Sequence, residues 1–341
     1  MLSTAKNIAL GMARSTGLLR LAGASGWRSR RLLVLCYHGV SLADEHHWNP
    51  SLYLTADLFR RRLEALRRSG CTVLPLEEGL QRLAAGTLPR LATAITFDDG
   101  FYDFYVNAYP ALREYGFPAT VYLTTYYAEQ PYPIFNLICS YLFWKARGRK
   151  VPAALFELEG ELDLATPASR LAALTRVNQA LLERNWTAAH KNEAARTLAA
   201  HLGIDYGSIL EQRLLQLMRP DEVREISRGG IDIQLHTHRH RTPLDETLFR
   251  AEIRDNRQRL RDWLGIEARH FCYPSGVHRE AFLPWLAAEN VQSATTCEYG
   301  LASRSDEMLL LPRVLDNMQM SSLDFEAWIS GAGHWLPRRK V

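Results

Sequence analysis

The sequence lacks most of the features that mark disulfide-stabilised and membrane-spanning proteins. Its 341 residues contain five scattered cysteines, an odd number, with no Cys-x-x-Cys pair. This pattern argues against a disulfide framework and predicts reduced, mostly buried thiols in a cytosolic protein. No apolar run approaches the roughly 18 residues that a membrane span needs. The net charge of +4 is small and gives no indication of a nucleic-acid partner.

Acidic residues are absent from the first 43 positions, Asp44 being the first. Residues 1–30 form a basic amphipathic segment in which Lys and Arg alternate with Ile, Leu and Met. Because Arg14 and Arg20 interrupt its apolar stretch, a secretory signal is disfavoured, although Ala22-Gly23-Ala24 is of the type found at cleavage sites. Two explanations stay open: a helix lying on an anionic membrane surface, and a helix packed on the domain that follows.

Short apolar runs that are typical of buried strands alternate with helical patterns along the rest of the chain. One run ends at Tyr37, another covers residues 72–74, and others lead into Asp98 and His236. This order is typical of a parallel α/β fold, in which catalytic groups gather at the carboxyl ends of the strands. Between about residues 130 and 220 the pattern becomes mostly helical, so we predict a helical insertion there.

Two polar motifs follow strand-like runs directly, and together they contain the parts of a metal-dependent hydrolase. The motifs are Phe97-Asp98-Asp99-Gly100 and His236-Thr237-His238-Arg239-His240. One carboxylate and two imidazoles are a familiar ligand set for a divalent metal with an open coordination position. A second carboxylate beside the ligand would be placed to act as a base on water. Taken alone, each motif also has an ordinary explanation, as a turn or as surface histidines.

The combined motifs resemble those of the polysaccharide deacetylase family, the carbohydrate esterases with a NodB homology domain. Thr96 to Gly100 match the first motif of that family, and His236, Thr237 and His240 match its His-Ser/Thr-x-x-His motif. Further similarities are the opening strand at 37–40, the third motif at 273–276 and a late strand at 311–313. The resemblance implies a distorted (β/α) barrel over residues 31–341, interrupted by the helical insertion.

The same resemblance implies a role for each matching residue. Asp99, His236 and His240 would hold a divalent ion, usually zinc in this family, and Asp98 would be the general base. Three further residues would contact the substrate or orient the site around it: Ser275 through its backbone N–H on the oxyanion, Tyr273 in the same motif, and Thr237. The products would be acetate and a free amino sugar.

The part of the predicted site that would supply the general acid departs from the family pattern. Cys272 stands where the third motif usually carries an Arg, and the sequence has no late Leu-x-x-His motif to supply the general acid. His38, which follows a strand run, is our candidate catalytic acid, and His278 and His334 are alternatives. A water molecule or the substrate itself could also take this role.

The resemblance predicts an enzyme that removes an acetyl group from an N-acetylated sugar of a cell-envelope, capsular or exopolysaccharide, or from its precursor. We expect a cytoplasmic enzyme, with peripheral membrane contact if the N-terminal helix lies on a bilayer. Two alternatives stay open: hydrolysis of an O-acetyl ester or a non-sugar amide at the same metal site, and a carbohydrate-binding protein that has lost catalysis. The aromatic residues that begin the insertion could stack on sugar rings or pack the inserted helices.

Overall fold

The computed structural model describes residues 2–336, in which short strands and helices alternate. The strands are β1 Leu33–Tyr37, β2 Gly39–Val40, β3 Tyr53–Leu54, β4 Thr93–Phe97, β5 Thr120–Leu123, β6 Lys150–Pro152, β7 Glu161–Asp163, β8 Asp232–Leu235, β9 His270–Cys272, β10 Ser293–Tyr299 and β11 Leu311–Leu315. The α-helices are α1 Leu2–Ser15, α2 Leu18–Gly23, α3 Glu45–Trp48, α4 Ala56–Ser69, α5 Leu76–Ala85, α6 Tyr109–Tyr115, α7 Thr125–Ala128, α8 Phe135–Lys145, α9 Pro167–Glu183, α10 Ala188–Leu202, α11 Tyr206–Glu211, α12 Pro220–Arg228, α13 Glu246–Leu264, α14 Phe282–Ala288 and α15 Ser322–Ser330.

Seven parallel strands close into a barrel, in the order β1-β11-β10-β9-β8-β5-β4. The barrel closes because β1 pairs on both sides, with Leu35 opposite Ile95 of β4 and opposite Val314 of β11. This architecture confirms the predicted (β/α) barrel. The apolar run at 72–74 is not a barrel strand: it contributes one bridge, between Val73 and Thr93.

Amphipathic helices cover the outside of the barrel, and α13 shows how the sequence produces this layer. The side chain of Asp245 accepts a hydrogen bond from the N–H of Leu248 and so caps the start of the helix. Phe249, Ile253 and Leu260 recur on one helical face and are buried in the main core. Burial of each such side chain contributes roughly 1.5–3 kcal/mol.

Helix α5 fills the amino-terminal end of the barrel. Its Leu80 and Leu83 belong to the same buried cluster as Leu32, Val34 and Ala94 from the start and inside of the barrel. Because this end is packed with apolar side chains, the opposite end, where the strands finish, is left to carry polar groups.

The chain between β5 and β8 contains the predicted helices α8 to α11, which have a hydrophobic core of their own. It also contains an antiparallel hairpin, β6–β7, that the helical pattern did not predict. Its last segment returns to the barrel, where Met218 N–H donates to the carbonyl of Gly100 and Tyr102 N–H donates to the carbonyl of Gln216, each at 2.9 Å.

The N-terminal helices α1 and α2 pack on α15, near the end of the chain. Leu10 and Leu19 are buried with Ala327. Lys6 and Arg14, whose charges are part of the basic pattern, form ion pairs with Asp324 at 2.7 Å and Glu326 at 3.0 Å. The outward side exposes four large apolar side chains, Ile8, Met12, Leu18 and Leu21. Among residues 2–336, no helix is both long and apolar enough to cross a membrane.

Candidate active site

The two polar motifs meet at the carboxyl end of the barrel. Asp98 and Asp99 follow β4, and His236 follows β8, with β5 between these two strands. Parallel strands end at the same rim, so residues 138 positions apart in the sequence lie side by side there.

Asp99, His236 and His240 form a compact triangle of ligand atoms. Oδ1 of Asp99 lies 3.2 Å from Nε2 of His236 and 3.1 Å from Nε2 of His240. Nδ1 of His236 is 2.8 Å from the carbonyl oxygen of Cys272, to which it donates, so Nε2, on the side of Asp99, is the ring nitrogen available to a metal. One carboxylate and two imidazoles in this arrangement are a donor set that fits zinc with open coordination positions.

Electrostatics within the triangle favour the ionised form of Asp99. Burial alone would raise the pKa of its carboxyl group, but the charge of His240 and hydrogen bonds from both imidazoles hold that pKa well below its usual range. Burial lowers the pKa of His240, and the neighbouring Asp99 reverses this effect, so the net shift is upward. A bound metal would take the place of the protons that join these three groups.

Asp98 is buried beside the triangle and forms a bidentate ion pair with Arg313 of β11. Nη1 and Nη2 of Arg313 each donate to one carboxylate oxygen at 2.7 Å. Burial would raise the pKa of Asp98, but the guanidinium group more than offsets this and holds the pKa well below normal. Asp98 therefore stays ionised, and its Oδ2 also lies within reach of the thiols of Cys272 at 3.4 Å and Cys36 at 3.5 Å.

Arg313 is the site residue that the sequence analysis missed. The sequence shows both the late strand at 311–313 and the absence of an Arg at position 272. Nothing in their spacing indicates that Arg313 lies close to position 272 in the fold. In the structure Sγ of Cys272 lies 3.1 Å from Nη2 of Arg313 and 3.4 Å from Oδ2 of Asp98. The guanidinium group thus approaches the carboxylate of Asp98 from β11, while the small Cys272 on β9 leaves space for it.

Of the three histidines considered for the acid role, the structure brings only His38 to Asp98. Its Nε2 lies 3.7 Å from Oδ2 of Asp98, and burial lowers its pKa. His278 contacts the carbonyl of Gly276 at 3.0 Å and approaches Glu298 at 3.8 Å. His334 packs against the ring of Trp27, with ring centroids 5.1 Å apart, beside the N-terminal helices.

The three predicted substrate-contacting residues have different surroundings. Ser275 is exposed on a turn in the left-handed region, at φ 55°. Tyr273 is fully buried, and its hydroxyl donates to the carbonyl of Leu309 at 3.0 Å, so this residue packs beneath the site instead of facing a ligand. Thr237 is also buried, and its hydroxyl oxygen accepts the N–H of Arg241 at 3.1 Å within the histidine loop.

The aromatic residues that begin the insertion mostly serve packing. Tyr141 and Phe143 are buried in the core of the insertion, and the ring of Phe143 contacts Phe156 edge-on. Trp48, the last residue of α3, joins this group through Tyr141 with ring centroids 5.7 Å apart. Tyr126 differs, because it is half-buried beside His238 of the histidine loop, at a centroid distance of 5.6 Å.

Comparison with known proteins identifies the class of this protein, a hydrolase acting on acetylated polysaccharide. The sequence profile of the polysaccharide deacetylase family matches residues 85–293, more than half of the chain. The chain therefore belongs to the polysaccharide deacetylase family, which confirms the resemblance seen in the motifs. Over 302 residues it is 21% identical to YxkH of Bacillus subtilis strain 168, which is named for the same family; the match covers 88% of this chain and 76% of YxkH.

Solved structures share the fold at low sequence identity. The deacetylase PplD of Streptococcus pyogenes, solved with acetate, superposes with a TM-score of 0.56 at 20% identity, covering 85% of this chain and 94% of PplD. IcaB of Ammonifex degensii superposes with a TM-score of 0.55 at 18% identity, covering 88% of this chain and 97% of IcaB. These similarities support the barrel assignment.

Proposed function

We propose that the protein is a metal-dependent N-deacetylase that hydrolyses the acetamide group of an N-acetylated sugar. The observation that carries this proposal is the ionised, buried Asp98 held by Arg313 beside the ligand triangle of Asp99, His236 and His240. A base next to a metal site with open positions is an arrangement that can hydrolyse an unactivated amide.

In the proposed reaction Asp99, His236 and His240 would hold a divalent ion, for which zinc is our first candidate. When bound, such an ion would lower the pKa of a water molecule to about 7. Asp98 would take the proton of the attacking water, while Arg313 keeps the carboxylate ionised until then. The backbone N–H of Ser275, a residue exposed on its turn, would donate to the oxyanion that forms on the acetamide carbonyl.

His38 is our proposed proton donor to the departing nitrogen. It lies 3.7 Å from Asp98, and the pKa of Asp98 is held well below normal, so a proton that Asp98 accepts can pass to the imidazole. His38 would then release it to the amine. The overall balance is one water and one acetamide converted to acetate and a free amino group.

The substrate that we propose is an N-acetylated saccharide of the cell envelope, a capsule or an exopolysaccharide, or a precursor of one. Family membership supports the acetylated saccharide. We also propose a cytoplasmic location, which is supported by five cysteines that all remain unpaired.

The experiment that tests the function measures acetate and new amine released from N-acetylated oligosaccharides by zinc-loaded protein and by Asp98→Asn. Both products from the wild type and neither from the variant support the deacetylase and the base together. Acetate without new amine would replace the proposal with O-deacetylation. No product from any substrate and no stoichiometric metal would favour a non-catalytic carbohydrate-binding protein.

We further propose that the outward face of α1 and α2 contacts an anionic membrane surface. The exposed Leu18 and Leu21 lie next to the exposed Arg20, and no acidic residue occurs before Asp44. Sedimentation with anionic vesicles should fall for a Leu18→Ser/Leu21→Ser variant and stay unchanged for Leu171→Ser, an exposed leucine on α9. Unchanged partitioning after deletion of residues 1–27 would refute this contact.

A further inference from the structure

The histidine loop, residues 236–241, carries two of the three proposed metal ligands on an unusual backbone. Thr237 and His240 have positive φ angles of 62° and 53°. Neither residue is glycine, and the left-handed region is uncommon for other residue types, above all for a β-branched one. Such a conformation persists only where the surrounding structure holds it.

Helix α13 holds the beginning of this loop through Asn256. Oδ1 of Asn256 accepts the N–H of His236 at 2.9 Å. Its Nδ2 donates to the carbonyl of Leu123 and to the hydroxyl of Thr125, both at 3.0 Å. The fully buried amide thus ties the first histidine to the end of β5, whose direction is fixed by the barrel.

One helical turn earlier, Glu252 holds the segment between the two histidine ligands. Its backbone carbonyl accepts the N–H of His238 at 3.1 Å. Its carboxylate, only 1% exposed, accepts the N–H of Arg239 at 2.7 Å and Nε of Arg241 at 2.6 Å. These contacts fix the chain on both sides of His240.

We infer that Glu252 is a positioning residue for the metal site, acting through the backbone of the histidine loop, with Asn256 as its partner. The inference rests on the proposed function insofar as the ligand triangle binds a divalent metal. Glu252 contacts neither His236 nor His240 through its side chain, so its effect would be on where the imidazoles are held. Groups that orient metal ligands without binding the metal commonly change affinity by about 10- to 100-fold.

A purely structural role for Glu252 predicts a different result. In that case removing its charge would lower the thermal stability of the metal-free protein, and the folded fraction would still bind metal with unchanged affinity. Asp255 provides a matched control, because it lies on the same helix and approaches the same Arg239 at 3.4 Å but is 49% exposed.

The experiment compares full-length wild type, Glu252→Gln and Asp255→Asn by competition for Zn²⁺ against a chelator. The absorption spectrum of the Co²⁺-substituted proteins reports ligand geometry. We expect about 10- to 100-fold weaker zinc binding and an altered cobalt spectrum for Glu252→Gln, and less than about threefold change for Asp255→Asn. Equal zinc affinity and equal spectra in all three proteins would overturn the inference.

If Glu252→Gln does not fold, Arg241→Gln tests the same contact with a smaller expected loss of stability. Arg241 is 55% exposed, and its replacement removes the bond from its Nε to Glu252. Weaker zinc binding supports the inference, and unchanged binding refutes it. The readout is independent of any substrate. Wild-type protein that binds zinc but releases no acetate would therefore contradict the proposed function while leaving the role of Glu252 open to the same measurement.

Discussion

Replacing Arg313 by methionine should change both the stability and the pH dependence of the protein, because Arg313 neutralises a carboxylate that is only 2% exposed. Arg313 and Asp98 are both buried, and two bonds of 2.7 Å join them. Methionine has a similar length but no charge. Removing one partner of a buried ion pair typically costs about 3–5 kcal/mol, because the other charge is left uncompensated.

The pH dependence of this loss has a definite sign. In the wild type the pKa of Asp98 lies below its unfolded value of about 3.9, so the pair stabilises the fold above that pH and the contribution is lost only in stronger acid. Without Arg313, burial would raise the pKa of Asp98. The variant should therefore lose stability as pH rises through that raised pKa, and its deficit should be smaller at pH 5 than at pH 8.

Urea unfolding of metal-free protein at the two pH values measures this directly, and the rate of acetate release measures its effect on the base. We expect the acidic limb of the pH–rate profile to move to higher pH, with kcat/KM at pH 7 reduced by roughly 100-fold or more. Arg313→Lys should lie between the two proteins, because it keeps the charge but not the paired geometry.

A double-mutant cycle with Asp98→Asn provides the control. Removing both charges should restore part of the stability that Arg313→Met loses, since no buried charge remains. Strictly additive losses, or a deficit for Arg313→Met that is the same at pH 5 and pH 8, would refute the reasoning. So would a pH–rate profile that keeps its acidic limb unchanged.

Three further outcomes can be checked. Tyr273→Phe should lower stability by about 0.5–1.5 kcal/mol in urea unfolding and leave KM unchanged, because its hydroxyl bonds to a backbone carbonyl; a large change in KM would contradict this. Gly39→Ala should destabilise the protein by about 1–3 kcal/mol, because the new Cβ would clash with the ring of Tyr53. The same clash should reduce kcat by displacing the adjacent His38. Wild-type thermal stability of the variant would argue against this packing. Adding zinc at 1,000 times its dissociation constant should stabilise metal-free protein by about 4 kcal/mol, and His240→Ala should lose most of this gain.

The sequence predicted those parts of the molecule that depend on short-range pattern. Two local motifs, each placed after an apolar run, contain Asp98, Asp99, His236 and His240. The sequence alone therefore indicates both the strand ends and the types of candidate ligand. The parallel α/β fold followed from the same alternation, and the barrel from the resemblance of the motifs to the deacetylase family. The run at 72–74 had strand composition, but it forms a single bridge with Thr93, and from Thr96 onward the same edge of β4 pairs with β5.

Other features depend on pairings that no local pattern contains. Arg313 lies 215 positions from Asp98, and an arginine on a late strand has many possible partners. The hydroxyl of Tyr273 could have faced a ligand or a carbonyl, and only the packing around Leu309 decides between them. From the sequence, the cations of the N-terminal segment could all bind anionic lipid headgroups. In the structure, Lys6 and Arg14 form ion pairs with acidic residues more than 300 positions later.

The hydrogen bonds at the end of the insertion determine where the helical insertion could be exchanged for that of another family member. Gln216 and Met218 form bonds with Tyr102 and Gly100, directly after Asp99, while Thr124 N–H donates to the carbonyl of Asp99 at 3.2 Å. The inserted helices are therefore attached on the loop that carries a proposed metal ligand. A chimaera that receives a different insertion should keep residues 216–218 of the recipient, because a junction placed after them would also exchange the backbone support of the proposed metal site.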